Sequence, residues 1–180
     1  MDTITLGDKK FKKYIDYETV RESIVTVARK INADMANEHI PLLVGVLNGS
    51  FMFLADLMKN LNFNCELTFV RVSSYEGTKS TGELCEVLGL NTNINERTVI
   101  LVEDIVDTGN TITQLHRMLT ENHNPKQIKI ATLLLKPNVY NKPLALDYVA
   151  MEIPNDFIVG FGLDYNELGR NLKDIYKITE

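Results

Sequence analysis

The sequence has few of the features that would place a protein in a membrane or outside the cell. No apolar run among the 180 residues approaches the roughly 18–20 residues that span a bilayer. Residues 1–10 are polar and contain no apolar signal-peptide segment. The two cysteines, Cys65 and Cys85, are too few for a disulfide framework. We therefore expect a cytoplasmic protein without a membrane partner.

Several common binding motifs are missing as well. The cysteines are not in CxxC spacing and the three histidines are scattered, which argues against a zinc site. The net charge is −5 and no Lys/Arg cluster marks a nucleic-acid-binding face. Neither a P-loop nor a GxGxxG dinucleotide motif occurs. Because repeats and linkers are also absent, we expect a single domain over residues 1–180 and no nucleic-acid partner.

What the sequence contains is an alternation of helical and strand-like segments. Apolar residues at three- and four-residue steps predict a helix over 17–38. Compact apolar runs predict buried strands over 42–47, 98–102 and 128–135. Further helices are predicted over 51–60 and 111–122, and further strands over 66–72, 83–90, 148–153 and 157–161. This order favours an α/β fold with a largely parallel sheet, in which ligands bind at the carboxyl ends of the strands.

The segment 99–111 carries the strongest functional signal. Its apolar strand ends in two adjacent acids, Glu103 and Asp104, and Asp107 follows before Thr108-Gly109-Asn110-Thr111 begins a helix. A helix N-terminus attracts phosphate, and a glycine lets the backbone approach it closely. Carboxylates only accept hydrogen bonds, so they suit sugar hydroxyls or a metal. The segment therefore fits a ribose 5-phosphate, although a helix cap beside a solvated loop is the alternative interpretation.

This segment resembles the phosphoribosyl-pyrophosphate motif of the type I phosphoribosyltransferases. The rest of residues 42–170 narrows the resemblance to the hypoxanthine-guanine phosphoribosyltransferases. The supporting segments are Val46-Leu47-Asn48-Gly49-Ser50, Ser74-Tyr75, Leu135-Lys136-Pro137 and the run from Phe157 to Glu167. The resemblance implies an α/β fold of this type, with a central mostly parallel sheet flanked by helices, a small hood subdomain and a flexible lid loop.

The resemblance also implies a role for each part of the segment. Glu103 and Asp104 match the acids that hold the ribose hydroxyls. The 5-phosphate would be held by the loop that comprises Asp107, Thr108, Gly109, Asn110 and Thr111. Asp107 matches the general acid/base near N7 of the purine, and a carboxylate that takes a proton from the imidazole ring aids attack by N9.

Four further residues are implied at the purine base and the metal. Lys136 matches the donor to the 6-oxo group, Phe157 the stacking aromatic, and Ile158 the main-chain contact to the base edge. Asp164 matches a carboxylate beside the base that, with Glu103 and Asp104, would hold Mg²⁺. Outside the family context, Lys136 is typical of a solvated strand end and Phe157 of a core residue.

Pyrophosphate is implied to bind Leu47, Asn48 and Gly49 together with Arg170. We expect the peptide bond between Leu47 and Asn48 to be cis, and the Asn48 side chain lacks the charge that many relatives carry there. Ser74 and Tyr75 match a lid. Loss of pyrophosphate builds oxocarbenium character on the ribose, so water must be excluded.

The implied function is purine salvage: phosphoribosyl transfer from phosphoribosyl pyrophosphate to hypoxanthine, and to guanine, giving IMP or GMP. Transfer to xanthine or a pyrimidine is one alternative. A phosphoribosyl-pyrophosphate-sensing regulator that binds nucleic acid is another, and would be expected to show a basic face. A phospho-receiver module is disfavoured because the strand over 42–47 ends in Asn-Gly-Ser, without the phosphoacceptor Asp. The family implies a homodimer or homotetramer.

Overall fold

The computed structural model describes residues 2–74, 84–88 and 90–179. Three helices lie in this part of the chain: α1 (Tyr17–Asp34), α2 (Phe51–Met58) and α3 (Asn110–Asn122). Its strands are β1 (Thr3–Leu6), β2 (Lys9–Ile15), β3 (Leu42–Leu47), β4 (Glu66–Ser74), β5 (Leu84–Leu88), β6 (Thr98–Val106), β7 (Gln127–Leu135), β8 (Tyr148–Glu152), β9 (Ile158–Val159) and β10 (Ile175–Ile178). None of the three helices is long and apolar enough to cross a bilayer.

The larger sheet has six strands in the order β5-β4-β3-β6-β7-β8. Every pairing from β4 to β8 is parallel, and only β5 runs antiparallel to its neighbour β4. Continuous apolar runs such as that of β3 suit strands covered on both faces. The prediction of a central, mostly parallel sheet is therefore confirmed.

Helices cover both faces of this sheet. Alternate residues of β6 point to opposite sides, so that Val99 and Leu101 join the core beneath α3 while Ile100 and Val102 join the core beneath α1 and α2. Helix α1 begins at the predicted position because the Asp16 carboxylate accepts a hydrogen bond of 2.8 Å from the main-chain N–H of Thr19. The alternation explains why both cores are formed from the same few strands.

A smaller antiparallel sheet has the order β1-β2-β10-β9 and supplies the hood expected from the resemblance. Its core contains Phe11, Val159 and Tyr176. Periodicity did not predict β1, β2 or β10, since lysines flank Phe11, the only fully buried residue of β2. The predicted lid falls at the edge of the described residues: Ser74 ends β4, whereas Tyr75 lies outside them.

Two predicted boundaries differ from the structure by four residues, more than any of the others. Helix α1 ends at Asp34 rather than at residue 38, and Met35 is its C-cap. Strand β6 does not end at Val102 but continues to Val106, because its parallel pairing with β7 extends to Val106 opposite Leu135. The acids Glu103 and Asp104 therefore lie within a strand and not in the loop where they were predicted.

Candidate active site

The carboxyl ends of β3, β6 and β7 meet at one edge of the sheet, because these three strands are neighbours. The ends of these strands and the segments that directly follow them carry most of the predicted site residues. The main-chain N–H of Lys136, just after β7, donates to the carbonyl oxygen of Val106 at the end of β6, at 3.0 Å. The sheet order thus brings together loops that lie far apart in the sequence.

The turn between β6 and α3 is open at the helix N-terminus. Gly109 has φ +80° and, as the N-cap of α3, offers no side chain to cap it. Thr108 Oγ1 accepts a long hydrogen bond, of 3.5 Å, from the main-chain N–H of Asn110, whereas the Asp107 carboxylate contacts Lys136 and not the helix. A cavity of about 80 Å³ lies against this turn, lined by Glu103 and residues 105–112. Uncapped main-chain N–H groups around a cavity form a suitable site for an anion.

Asp107 instead faces Lys136. The lysine Nζ lies 3.1 Å from Asp107 Oδ2 and donates a second hydrogen bond, of 3.2 Å, to Asn155 Oδ1. Lys136 is only 8% exposed, so it is not the solvated strand end that its local sequence favours. Asn155 was missed from the sequence, because no local pattern links it to a lysine 19 positions earlier.

The two adjacent acids occupy different surroundings, since successive strand residues point to opposite faces. Glu103 is 7% exposed and its Oε2 is buried without a hydrogen-bond partner. Burial, together with the charge of Asp104, raises the pKa of Glu103 to about 8. Glu103 thus keeps its proton at neutral pH and lines the cavity at the turn.

Burial also raises the pKa of Asp104, to about 6. The charge of Asp164 acts in the same direction, while two main-chain N–H donors and the guanidinium of Arg170 oppose it. Asp104 lies against Gly49, where a Cβ atom would be 1.6 Å from Asp104 Oδ2. The carboxylate therefore occupies space that only a glycine leaves open.

The loop after β3, which contains Gly49, contacts the loop after β9, which contains Gly162. A Cβ atom on Gly162, which has φ +100°, would lie 2.0 Å from the carbonyl oxygen of Gly49. The peptide bond between Leu47 and Asn48 is cis, as predicted. The predicted pyrophosphate loop is thus enclosed by Asp104 on one side and by the backbone of Gly162 on the other.

Arg170 links this region to Asp164. Its Nη2 lies 2.7 Å from Asp164 Oδ1, and its Nη1 donates to the carbonyl oxygen of Gly162 at 3.0 Å. Its Nε is buried and has no partner in the described part of the chain. A half-buried guanidinium with a buried, unused Nε–H donor favours an additional anionic oxygen at this position.

The ring of Phe157 is 46% exposed, so it is not the core residue that its neighbours favour. Its ring centroid lies 6.3 Å from that of Phe11 and 6.0 Å from that of Tyr165, against which it packs edge-on. Ile158 is buried in β9 opposite Lys177 of β10. An exposed aromatic face fixed from behind can stack on a planar ligand. Phe11 and Tyr165 were also missed. Phe11 lies in β2 and Tyr165 in the loop after β9, and no local sequence pattern links either residue to Phe157.

Comparisons with known proteins agree with this geometry. The family model described as "Phosphoribosyl transferase domain" matches residues 16–166. The chain is 43% identical over 163 residues to the hypoxanthine-guanine phosphoribosyltransferase of Streptococcus mutans, covering 88% of this chain and 90% of that protein. It is 47% identical over 152 residues to the enzyme of the same name from Streptococcus agalactiae, covering 84% of this chain and 83% of that protein.

Solved structures show the same likeness. The crystal structure of a hypoxanthine-guanine phosphoribosyltransferase from Bacillus anthracis superposes with a TM-score of 0.86 and 34% identity, over 94% of this chain and 97% of that one. The residues matched by the family model, 16–166, include the carboxyl ends of β3, β6 and β7 and the turn before α3, and they end within the loop after β9, before Arg170. The chain therefore belongs to the phosphoribosyltransferase family.

Proposed function

We propose that the protein is a hypoxanthine-guanine phosphoribosyltransferase, which transfers the phosphoribosyl group of phosphoribosyl pyrophosphate to a 6-oxopurine in purine salvage. The observation that carries the proposal is the ion pair of Asp107 with the buried Lys136, beside a helix N-terminus whose N-cap is Gly109. Asp107 can accept a proton, Lys136 can donate to an oxo group, and the turn before α3 can hold an anion.

In the proposed reaction, the 5-phosphate binds the main-chain N–H groups and hydroxyls of residues 108–111. Asp107 takes the proton from N7 while N9 attacks C1 of the ribose, and the bond from C1 to pyrophosphate breaks. Lys136 donates to the 6-oxo group, Phe157 stacks on the ring, and Ile158 contacts the base edge through its main chain. Ser74 and Tyr75 remain the proposed lid that excludes water.

The leaving pyrophosphate is assigned to the loop of Leu47, Asn48 and Gly49 and to Arg170. Main-chain amides and a guanidinium with an unused buried Nε–H both favour anionic oxygens. The Asn48 side chain carries no charge, so Arg170 is the cation that we assign to this end of the site. Glu103 and Asp104 are assigned to the ribose hydroxyls.

Magnesium is the proposed metal, held by Asp164, Glu103 and Asp104. Carboxylate oxygens are the ligands it prefers, so Glu103, whose Oε2 is buried without a described partner, would have to release its proton when the ion binds. The described residues include no group of three or more His, Cys, Asp or Glu side chains placed to hold an ion by themselves, so substrate phosphates and waters would supply the remaining ligands. Mg²⁺ usually keeps several waters and binds substrate phosphates, and when bound it would neutralise charge on the pyrophosphate.

Turnover on four bases tests the proposal. With phosphoribosyl pyrophosphate and Mg²⁺, we expect hypoxanthine and guanine to yield nucleotide and pyrophosphate in equal amounts, well above xanthine and uracil. A chelator should abolish the reaction. Negligible turnover of the first two bases would overturn the proposal, and salt-dependent affinity for RNA or DNA in its place would favour a nucleic-acid-binding regulator.

We also propose that residues 1–180 form one domain and that the protein acts in the cytoplasm as a homodimer or homotetramer. Support for a single domain comes from the loops of the site, which draw on segments from residue 47 to residue 170. The oligomer rests on the family resemblance, and light scattering of the purified protein measures it directly.

A further inference from the structure

We propose that Asn155 is a positioning residue that fixes the ammonium of Lys136 for the 6-oxo group of the base. This inference rests on the proposed function, because it concerns how the base is recognised. Asn155 is exposed and follows β8, three positions beyond the last residue of that strand. Its amide oxygen accepts a hydrogen bond of 3.2 Å from Lys136 Nζ.

The sheet order places the lysine between two acceptors. Strand β7 lies between β6 and β8, and Lys136 follows β7 directly. Asp107 follows β6 on one side, and Asn155 follows β8 on the other. The ammonium is therefore held from both neighbouring strands, at 3.1 Å and 3.2 Å.

The hydrogen-bonding capacity of the lysine explains what this arrangement does. An ammonium carries three N–H donors and no acceptor. Asp107 and Asn155 use two of them, so one N–H remains for a ligand, in a direction that the other two bonds fix. If Asp107 were the only acceptor, the flexible lysine stem would let the ammonium turn fully towards that carboxylate.

The uncharged amide of Asn155 also suits the separate roles proposed for Asp107, as general base, and for Lys136, as donor to the 6-oxo group. Its acceptor is an uncharged amide, so Asp107 is the only carboxylate among the described residues that contacts the ammonium. The amide oxygen acts here as a hydrogen-bond acceptor, so it orients the ammonium through the direction of the bond and not through charge. We infer that Asn155 affects recognition of the purine and leaves phosphoribosyl binding unchanged.

Steady-state kinetics of Asn155→Leu and Asn155→Asp test the assignment. We expect Asn155→Leu to raise the KM for hypoxanthine about tenfold, at the lower end of the effect of a hydrogen bond to a charged group, and to leave the KM for phosphoribosyl pyrophosphate unchanged. Asn155→Asp keeps an oxygen acceptor and should restore the KM for hypoxanthine to within about threefold of the unaltered protein.

A matched control lies on the same loop. Asp156 pairs with Lys177 at 2.9 Å and has no hydrogen bond to Lys136 in the described part of the chain, so Asp156→Ala should leave both KM values unchanged. Equal rises in both KM values of Asn155→Leu, failure of Asn155→Asp to restore the base KM, or no change at all would overturn the assignment. Absence of hypoxanthine turnover in the unaltered protein would instead overturn the proposed function, and the assignment with it.

Discussion

Gly162 lies where two loops of the site touch, and replacing it with alanine is a direct test of the geometry. The new Cβ would be 2.0 Å from the carbonyl oxygen of Gly49, whereas ordinary contacts of a Cβ begin at 3.4 Å. One of the two backbones must therefore move by about 1.4 Å. Because Gly49 belongs to the proposed pyrophosphate loop, this displacement reaches the substrate.

The size of the effect follows from two contributions. A residue other than glycine at φ +100° is strained by about 1–3 kcal/mol, and the overpacked contact adds about 1–3 kcal/mol. A displacement of about 1 Å at a substrate-positioning group typically lowers the rate about 100-fold. We expect Gly162→Ala to lower kcat/KM for phosphoribosyl pyrophosphate by about this factor.

Gly7→Ala is the matched control. Gly7 also has a positive φ, +57°, but a Cβ there would meet only the Tyr165 ring edge, at 3.6 Å. Both variants should lose stability in urea unfolding, and only Gly162→Ala should lose activity. The reasoning would be refuted by a Gly162→Ala enzyme with normal kcat/KM, or by an equal loss of activity in Gly7→Ala.

Two further predictions concern the acids of the site. Asp107→Asn should lower kcat by roughly 10²–10⁴, the usual contribution of a general acid–base group, and a normal rate in steady-state assays would remove Asp107 from catalysis. Glu103 binds its proton more tightly in the folded chain than in the unfolded one, because its pKa is raised from 4.5 to about 8. Its contribution to stability should therefore fall by about 1.4 kcal/mol per pH unit between about pH 5 and pH 8. In urea unfolding with a chelator present, the free energy of unfolding of Glu103→Gln should increase relative to that of the unaltered protein as the pH rises. Parallel pH profiles of the two proteins would contradict this.

Much of the larger sheet was predictable because burial on both faces leaves a clear pattern. The run of β3 is apolar from Leu42 to Leu47, and the predicted strand has the observed bounds. The turn from Asp107 to Thr111 was predictable as well, since glycine and hydroxyl residues at a helix start have few other uses.

The remaining features depend on contacts between distant segments. Strand β2 buries only Phe11, so it exists through its pairing with β1 and β10 and not through a pattern of its own. Strand β6 continues through Glu103 and Asp104 because β7 pairs with it there. The contact of Asn155 with Lys136 requires the order β6-β7-β8, which no single segment encodes.

The place of β10 in the hood has a consequence for how the enzyme matures. This strand lies between β2 and β9, so the N-terminal hairpin has no described strand pairing with β9 except through residues 175–178. Ribosomal synthesis delivers those residues after the other nine described strands and after the phosphate turn. A nascent chain can therefore complete its phosphate-binding half early, whereas the surface behind Phe157 is assembled only once residues 175–178 have emerged.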